Sequence, residues 1–182
     1  MAKSYLFLAD GFEEIEALTT VDLLRRGGME VITVSITDNR LVTGANGITA
    51  KADALFGDTD FTGAEWLIIP GGMPGSTNLA AFAPLSALLK RHAADGKIAA
   101  ICAAPAVVLY PLGLLDGQKA TCYPGFEAQC PKTEMTGQRV VACGRIITAN
   151  GPSSAFPFAL AILESARGGE AARQVGAGTL YY

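Results

Sequence analysis

Cys102 is the residue whose surroundings best suit covalent chemistry. It follows the apolar run 97–101 directly and precedes the apolar run 103–109, near the start of which lies Pro105. A short β-branched run that stops at one polar atom and continues as a helix predicts a strand, a sharp turn and a helix. The same turn with serine forms the nucleophile elbow of other α/β enzymes. We therefore predict a thiol facing a helix N-terminus, whose unpaired N–H groups and dipole favour the thiolate.

A free cysteine between alanines is also a common core residue, so the hypothesis of a reactive thiol depends on the neighbouring segments. Four segments follow predicted parallel strands, namely residues 10–16, 70–75, 102–105 and 150–154. Because the carboxyl ends of parallel strands meet at one edge of a sheet, these segments should share one rim. That rim would bring together carboxylates, a glycine turn, a thiol and a hydroxyl-bearing helix start.

Backbone N–H groups at this rim could stabilise an oxyanion formed by attack of the thiol. Gly71 and Gly72 let the chain approach Cys102 without an intervening side chain, and the N–H groups of Gly72 and Ala103 are the predicted donors. Each feature also has a purely structural interpretation. The glycines could form only a turn, Ser153 could be only an N-cap, and acidic residues in a first turn could only complement the helix dipole.

The proton carrier must be a carboxyl group rather than an imidazole. His92 is the only histidine and lies in the last turn of a predicted helix, just before the strand that leads to Cys102. The length of that strand places it at the opposite end of the sheet, where we expect a solvent-facing cation. The candidates that remain are Glu13, Glu14 and Glu16, and the sequence pattern does not choose among them.

Alternation of strand and helix patterns predicts an α/β fold with a mostly parallel sheet covered by helices on both faces. The length of 182 residues, without a linker or repeat, fits a single domain over 1–182. The predicted strands are 4–9, 30–36, 66–70, 97–101, a short one near 119–123, and 139–149, with a hairpin over 41–52. The predicted helices are 13–26, 79–94, one after Cys102, 153–166 and 169–175.

Composition excludes several classes of function. The net charge is −3 and there is no basic block, which argues against nucleic-acid or anionic-membrane partners. The uncharged segment 98–115 contains two prolines and a glycine, and is better explained by strand, helix and loop than by a membrane span. The four cysteines lack metal-ligand spacing and a secretory leader is not evident, so we expect no metal, no disulfides and a cytoplasmic location.

Four motifs together resemble the ThiJ/PfpI superfamily, in the branch of the human parkinsonism protein (DJ-one) and bacterial YajL. They are Asp-Gly-Phe-Glu-Glu-Ile-Glu at 10–16, Ile-Ile-Pro-Gly-Gly-Met-Pro-Gly at 68–75, Ala-Ala-Ile-Cys-Ala-Ala-Pro at 99–105 and Gly-Pro-Ser-Ser-Ala-Phe at 151–156. The resemblance implies a flavodoxin-like three-layer sandwich of the class I glutamine amidotransferase type. It also implies a homodimer and a site without a cofactor.

By this resemblance Cys102 is the nucleophile, Glu16 is its protonated partner, and Gly72 and Ala103 supply the oxyanion N–H groups. The expected substrate-binding residues are Gly71, Met73, Tyr123 and Ser153. The chain departs from the family pattern at Tyr123, where some relatives have histidine, and at Gly-Pro-Ser-Ser, where the family has Gly-Pro-Gly-Thr. Both departures bear on the shape of the pocket.

The resemblance implies glyoxalase or deglycase activity on reactive 2-oxoaldehydes such as methylglyoxal or their protein adducts. Attack by Cys102 would give a hemithioacetal, and Glu16 would carry protons through an enediol to a 2-hydroxy acid. The alternative is a redox-sensing stress protein or chaperone that uses oxidation of Cys102. A peptidase or amidotransferase fits less well, because protease-like members carry histidine where this chain has Ala103.

Overall fold

A seven-stranded sheet forms the centre of the structure. The structure is a computed structural model and describes residues 2–182. The strands of this sheet are β1 (Lys3–Leu8), β2 (Glu30–Ser35), β5 (Ala54–Leu55), β6 (Trp66–Ile69), β7 (Lys97–Ile101), β10 (Val140–Cys143) and β11 (Ile146–Ala149). Their order across the sheet is β10-β11-β7-β6-β1-β2-β5, and all neighbours are parallel except the pair β10 and β11. The predicted mostly parallel sheet is confirmed.

Helices cover both faces of this sheet. Within residues 2–182 the α-helices are α1 (Glu14–Arg26), α2 (Gly75–Ala81), α3 (Ala83–His92), α4 (Ala155–Arg167) and α5 (Gly169–Gly178). Side chains of β1 alternate between the faces, because successive residues of a strand point in opposite directions. Leu6 and Leu8 belong to the core under α1 and α4, whereas Tyr5 and Phe7 belong to the core under α2 and α3. The fold is therefore the predicted three-layer sandwich.

Two small sheets and several short helical turns complete the fold. Strands β3 (Leu41–Thr43) and β4 (Thr49–Lys51) form the predicted antiparallel hairpin, and β8 (Lys119–Ala120) pairs in parallel with β9 (Glu134–Met135). A π-helical turn spans Pro105–Leu109, and 3-10 turns span Phe56–Asp58, Tyr110–Leu112, Glu127–Gln129 and Pro152–Ser154.

Two predicted helices differ from the structure. The single helix predicted over 79–94 is wrong, since the chain breaks at Phe82 into α2 and α3. Pro84 lacks the N–H group that a continuous helix would need to bond the carbonyl of Ala80. The helix predicted after Cys102 is a π-helical turn followed directly by a 3-10 turn.

The uncharged segment 98–115 divides between strand β7, the turn at Cys102 and these short helical turns, as the sequence predicts. Among residues 2–182 no helix is long and apolar enough to cross a membrane.

Candidate active site

Cys102 occupies a sharp turn directly after β7. Its φ is +67°, a left-handed conformation that is uncommon for a residue with a side chain. Two backbone hydrogen bonds hold the turn: Cys102 N–H donates to Ala149 O at 2.8 Å, and Tyr123 N–H donates to Cys102 O at 2.8 Å. The predicted elbow is confirmed, and it leaves only 8% of the cysteine exposed.

Glu16 reaches the same place from the first turn of α1. The residue is fully buried, and its Oε2 accepts the N–H of Gly71 at 2.8 Å. Its Oε1 is buried and has no N–H or O–H partner among the described residues, while the Cys102 thiol lies beside the carboxyl. A buried carboxylate oxygen without a donor is costly, so this geometry favours a proton on the Glu16 carboxyl or a thiol proton aimed at it.

The other two candidate acids have separate structural roles. Glu13 is the N-cap of α1, where its side chain accepts the N–H of Glu16 at 2.8 Å. Glu14 anchors the β3–β4 hairpin, because its carboxylate accepts the N–H of Asn46 at 2.7 Å, the side-chain amide of Asn46 at 2.9 Å and the N–H of Ile48 at 3.3 Å. Burial raises the pKa of Glu14, but these hydrogen bonds outweigh it and lower the pKa below its usual value. Of the three acids, Glu16 is the one beside the thiol.

Gly71 is the residue that lets the carboxyl and the thiol share this space. A Cβ at Gly71 would lie 2.5 Å from Cys102 Cβ, 2.6 Å from Glu16 Oε2 and 3.0 Å from Cys102 Sγ. Gly72 adopts a φ of +92°, and a Cβ there would collide with the backbone of Gly11 and Glu13 at 2.4 Å. Side chains are thus excluded at both positions, which explains the Gly-Gly pair.

The N–H groups of Gly72 and Ala103 both lie near the sulfur of Cys102, where they favour its anion and act to lower the pKa of the thiol. They come from two different loops, one after β6 and one after β7. An anion that develops on or next to the sulfur would meet two fixed donors without any rearrangement of the backbone. The structure brings together the two N–H groups that the sequence nominates.

Burial and mutual repulsion govern the protonation of the pair. Burial raises the pKa of the Glu16 carboxyl to about 7, against the hydrogen bonds with Cys102 and Gly71. Burial, then the charge and hydrogen bond of Glu16, raise the pKa of the Cys102 thiol to about 12, against the N–H groups of Gly72 and Ala103. Two anions cannot share this space, so near neutral pH the thiol keeps its proton while the Glu16 carboxyl is close to the midpoint of its titration.

The prediction of an acidic thiol is therefore wrong, because burial and Glu16 outweigh the local effect of the helix N-terminus. The Glu16 carboxyl has the pKa of a general base that works near neutral pH. It can take the proton from the thiol as the sulfur attacks, which activates the nucleophile without a free thiolate beforehand.

His92 lies far along the fold from this site. Its Nε2 lies 3.1 Å from the carbonyl oxygen of Lys97, at the end of β7 opposite to Cys102, as the sequence predicts. The expectation of a solvent-facing cation is wrong, however. His92 is half-buried against Gly96, and burial lowers the pKa of the imidazole below its usual value.

A cavity of about 170 Å³ opens above the thiol, lined by Gly72, Met73, Cys102, Ala103, Tyr123 and Phe126. Of the expected substrate-binding residues, it includes Met73 and Tyr123. Gly71 lies beneath the sulfur rather than in the cavity wall, and Ser153 is exposed and outside the lining. The carbonyl of Ser153 accepts a hydrogen bond from Arg139 instead.

Phe126 is a lining residue that the sequence argument missed. It lies three positions after Tyr123, and the two rings meet edge to face with centroids 6.4 Å apart. The pattern Tyr-Pro-Gly-Phe places both rings on one turn, since Phe126 N–H donates to Tyr123 O at 3.2 Å. The Pro-Gly turn between two aromatic residues is the sequence signal that could have identified Phe126 as a lining residue.

Metal ligands do not cluster in the part of the chain that the structure describes, where no group of three or more His, Cys, Asp or Glu side chains could hold an ion. All four cysteines are free thiols.

Comparisons with known proteins agree with this geometry. The DJ-1/PfpI family model matches residues 2–165. Protein DJ-1 homolog B of Arabidopsis thaliana is 37% identical over 92% of this chain, and the match covers 39% of that protein. The chain spans less than half the length of both Arabidopsis relatives that it matches.

Two further relatives match over most of both chains. The glutathione-independent glyoxalase DJR-1.2 of Caenorhabditis elegans is 36% identical over 87% of this chain and 84% of its own length. The solved structure described as Toxoplasma gondii DJ-1, oxidized, has a TM-score of 0.95 and 41% identity, and the match covers 99% of this chain and 98% of that one.

The raised pKa of the Glu16 carboxyl predicts that the stability of the fold depends on pH. Because folding raises the carboxyl pKa from 4.5 to about 7, folding favours the protonated form. This contribution is complete below pH 4.5 and is lost as the pH rises through 7. Relative to Glu16→Gln, the wild type should lose about 3 kcal/mol of unfolding free energy over that range. Urea denaturation at several pH values measures it, and parallel curves for the two proteins would contradict it.

The close approach at Gly71 predicts a steric penalty. Gly71→Ala should lower the unfolding free energy by about 1–3 kcal/mol, because its Cβ overlaps both the cysteine and the carboxyl. Gly57→Ala is the matched control, since nothing lies within 4 Å of a Cβ there. Its unfolding free energy should stay within about 0.5 kcal/mol of the wild type or rise slightly. Equal urea midpoints for both variants would argue against the packing described at Gly71.

Proposed function

Because the chain belongs to the DJ-1/PfpI family, we propose that it is a cofactor-independent cysteine enzyme that converts 2-oxoaldehydes, such as methylglyoxal or its protein adducts, to 2-hydroxy acids. The observation that carries the proposal is the buried site in which one sulfur, one carboxyl of raised pKa and two backbone N–H groups converge. A relative of similar length bears the name of a glutathione-independent glyoxalase.

The first step is addition of the thiol to the aldehyde. The sulfur of Cys102 forms a bond to the aldehyde carbon, and the electron pair of the carbonyl moves to its oxygen. The N–H groups of Gly72 and Ala103 stabilise the resulting oxyanion. The thiol proton passes to Glu16, which then protonates that oxygen to give the hemithioacetal.

The second step is a proton shift between adjacent carbons. The Glu16 carboxylate removes the proton from the former aldehyde carbon, and an enediol forms. Return of that proton to the neighbouring carbon gives a thioester of the 2-hydroxy acid. Water then cleaves the C–S bond, so that the acid leaves and the thiol is restored. The aldehyde carbon is oxidised and the ketone carbon reduced within one molecule, so that the overall change needs no external oxidant or reductant.

The redox alternative has weaker support from the geometry. A peroxide reacts with the thiolate, and the thiol here is nearly buried while burial and Glu16 raise its pKa. A sensor in which oxidation precedes any turnover would need an exposed thiol of low pKa. Turnover of a carbonyl substrate fits the Glu16 base better.

We also propose that two copies of the chain form a homodimer through an apolar patch formed by Ile15, Leu18 and Ile48. These side chains are 55%, 43% and 56% exposed. Ile15 and Leu18 share the outer face of α1, and Glu14 holds the hairpin segment of Ile48 beside that helix. A contiguous exposed apolar patch is typical of an interface, and a two-fold contact would pair it with itself.

The expected partners are thus a small carbonyl substrate and a second copy of the chain, with neither nucleic acid nor a membrane. The net charge of −3 supports this. Four free thiols support a reducing compartment, which we propose to be the cytoplasm.

Methylglyoxal should be converted to lactate by the wild type in a buffer without glutathione. Cys102→Ala should abolish this activity, because no other group can form the hemithioacetal. Glu16→Gln should lower kcat about 100-fold or more, because it removes the proton carrier. Chiral chromatography of the product measures the rate and the stereochemistry.

Cys143→Ser is the control for that assay, because its thiol bonds Gln118 on another part of the surface and should be dispensable. Undiminished lactate formation by Cys102→Ala would refute the mechanism. An inactive wild type would favour the redox alternative over turnover.

Leu18→Glu should convert the dimer to a monomer, because it places a charge in the middle of the apolar patch. Sedimentation equilibrium should then give the mass of one chain, 18.9 kDa, in place of twice that mass. Leu180→Glu is the control, since Leu180 is also exposed but lies at the C-terminal end. A wild type that already sediments as a monomer would exclude the dimer.

A further inference from the structure

The cavity above Cys102 has walls of an unusual kind for a site that binds small polar carbonyl compounds. Its side chains are the thiol, Ala103, the thioether of Met73 and the rings of Tyr123 and Phe126. No charged side chain of the described residues lines it. Every wall is therefore apolar except for the sulfur, the Tyr123 hydroxyl and the backbone N–H groups.

The aromatic wall is held in place from behind. The ring of Tyr123 packs over Gly151, where an added Cβ would come within 3.3 Å of it. Phe126 is half-buried and packs against the core that contains α1 and α4, and also against a small cluster that contains Cys122 and Cys130. The two rings meet at an interplanar angle of 79°. A flat apolar group in the cavity would meet a preformed surface rather than a mobile loop.

The volume admits one ring. About 170 Å³ is slightly more than the dry apolar cavity of 150 Å³ that binds benzene in an engineered protein. A phenyl or branched alkyl substituent next to the reacting carbonyl therefore fits, whereas the hydrogen or methyl group of the smallest 2-oxoaldehydes leaves much of the space unfilled.

The charges around the cavity disfavour anions. The Glu16 carboxyl ionises as the pH rises through about 7 while the Cys102 thiol stays protonated, and Glu13 adds a second carboxyl to the same turn. The guanidinium of Arg139 lies on the neighbouring segment, but it is bonded to Ser153 O and to Ser154 Oγ. An incoming carboxylate would thus lose its hydration without gaining a cationic partner.

We infer that the cavity formed by Met73, Tyr123 and Phe126 selects neutral electrophiles with an aryl or branched alkyl substituent and rejects anionic ones. The preferred substrates would be aryl- or alkyl-substituted 2-oxoaldehydes, with phenylglyoxal favoured over glyoxal and 2-oxo acids excluded. The inference deepens the proposed function and rests on Cys102 as its nucleophile.

Alkylation of Cys102 tests the selectivity without any requirement for turnover. Iodoacetamide and iodoacetate have nearly the same size but differ in charge. In each reaction a C–S bond forms, a C–I bond breaks, iodide leaves, and the thiol proton passes to Glu16 or to water. Peptide mass spectrometry gives the alkylation rate at Cys102 separately from the rates at the other cysteines. The rates of iodoacetamide and iodoacetate with 2-mercaptoethanol give the intrinsic reactivity ratio of the two reagents, by which the ratio at Cys102 is divided.

After that correction, iodoacetamide should react at least about 10-fold faster than iodoacetate at Cys102. In parallel, kcat/KM should rise from glyoxal through methylglyoxal to phenylglyoxal. Tyr123→Ser and Phe126→Leu should each lower the phenylglyoxal-to-glyoxal ratio about 10-fold. Tyr123 is exposed, so its variant tests the wall even if the Phe126 variant folds poorly. Leu41→Ser, at an exposed position of the β3–β4 hairpin, should leave both ratios unchanged.

The outcomes separate the inference from the proposed function. Equal corrected alkylation rates with equal kcat/KM for the three aldehydes would overturn the selectivity and leave the glyoxalase proposal intact. A selective thiol in a protein that turns over no aldehyde would support the selectivity and overturn the proposed function. Ratios that do not change in Tyr123→Ser and Phe126→Leu, with both variants folded, would remove the role of the aromatic wall.

Discussion

Two acidic groups occupy one buried space in this protein, and much of the surrounding backbone serves to make that possible. The Glu16 carboxyl and the Cys102 thiol cannot both ionise there near neutral pH, so at least one proton stays on the pair. Gly71 provides the room and one N–H donor, and Glu13 fixes the first turn of α1 from which Glu16 projects. Reactivity in this site depends on the carboxylate taking the thiol proton as the sulfur attacks.

The fold supplies these groups through the carboxyl ends of adjacent strands. β1, β6 and β7 lie side by side, so the segments after them meet at one edge of the sheet. The backbone of Cys102 is bonded on one side to Ala149, at the end of β11, and on the other to Tyr123. The unfavourable conformation of the elbow is thereby held from two sides, by the end of a buried strand and by the segment that carries Tyr123.

Local pattern was sufficient for the elbow and for Ala103, because strand, turn and helix signals lie within ten residues of Cys102, and the donor at Gly72 followed once the ends of two parallel strands were matched. It was insufficient wherever a distant contact determines the outcome. Glu14 differs from Glu16 because of Asn46, which is 32 positions away in sequence. The thiol pKa likewise depends on burial and on Glu16, which are tertiary effects that override the helix terminus. The break at Phe82, by contrast, had a local cause in Pro84 that the periodicity of the segment concealed.

The cavity walls have a consequence for how the protein acquires its activity. Met73, Cys102 and Tyr123 follow different strands, and the carboxyl that faces the sulfur arrives from the N-terminal helix. A folding intermediate that lacks any one of these segments would have a cysteine but no site around it. Chemical competence should therefore emerge in a single cooperative event, together with the long-range strand pairings, and a nascent chain would remain inert until its last strand is in place.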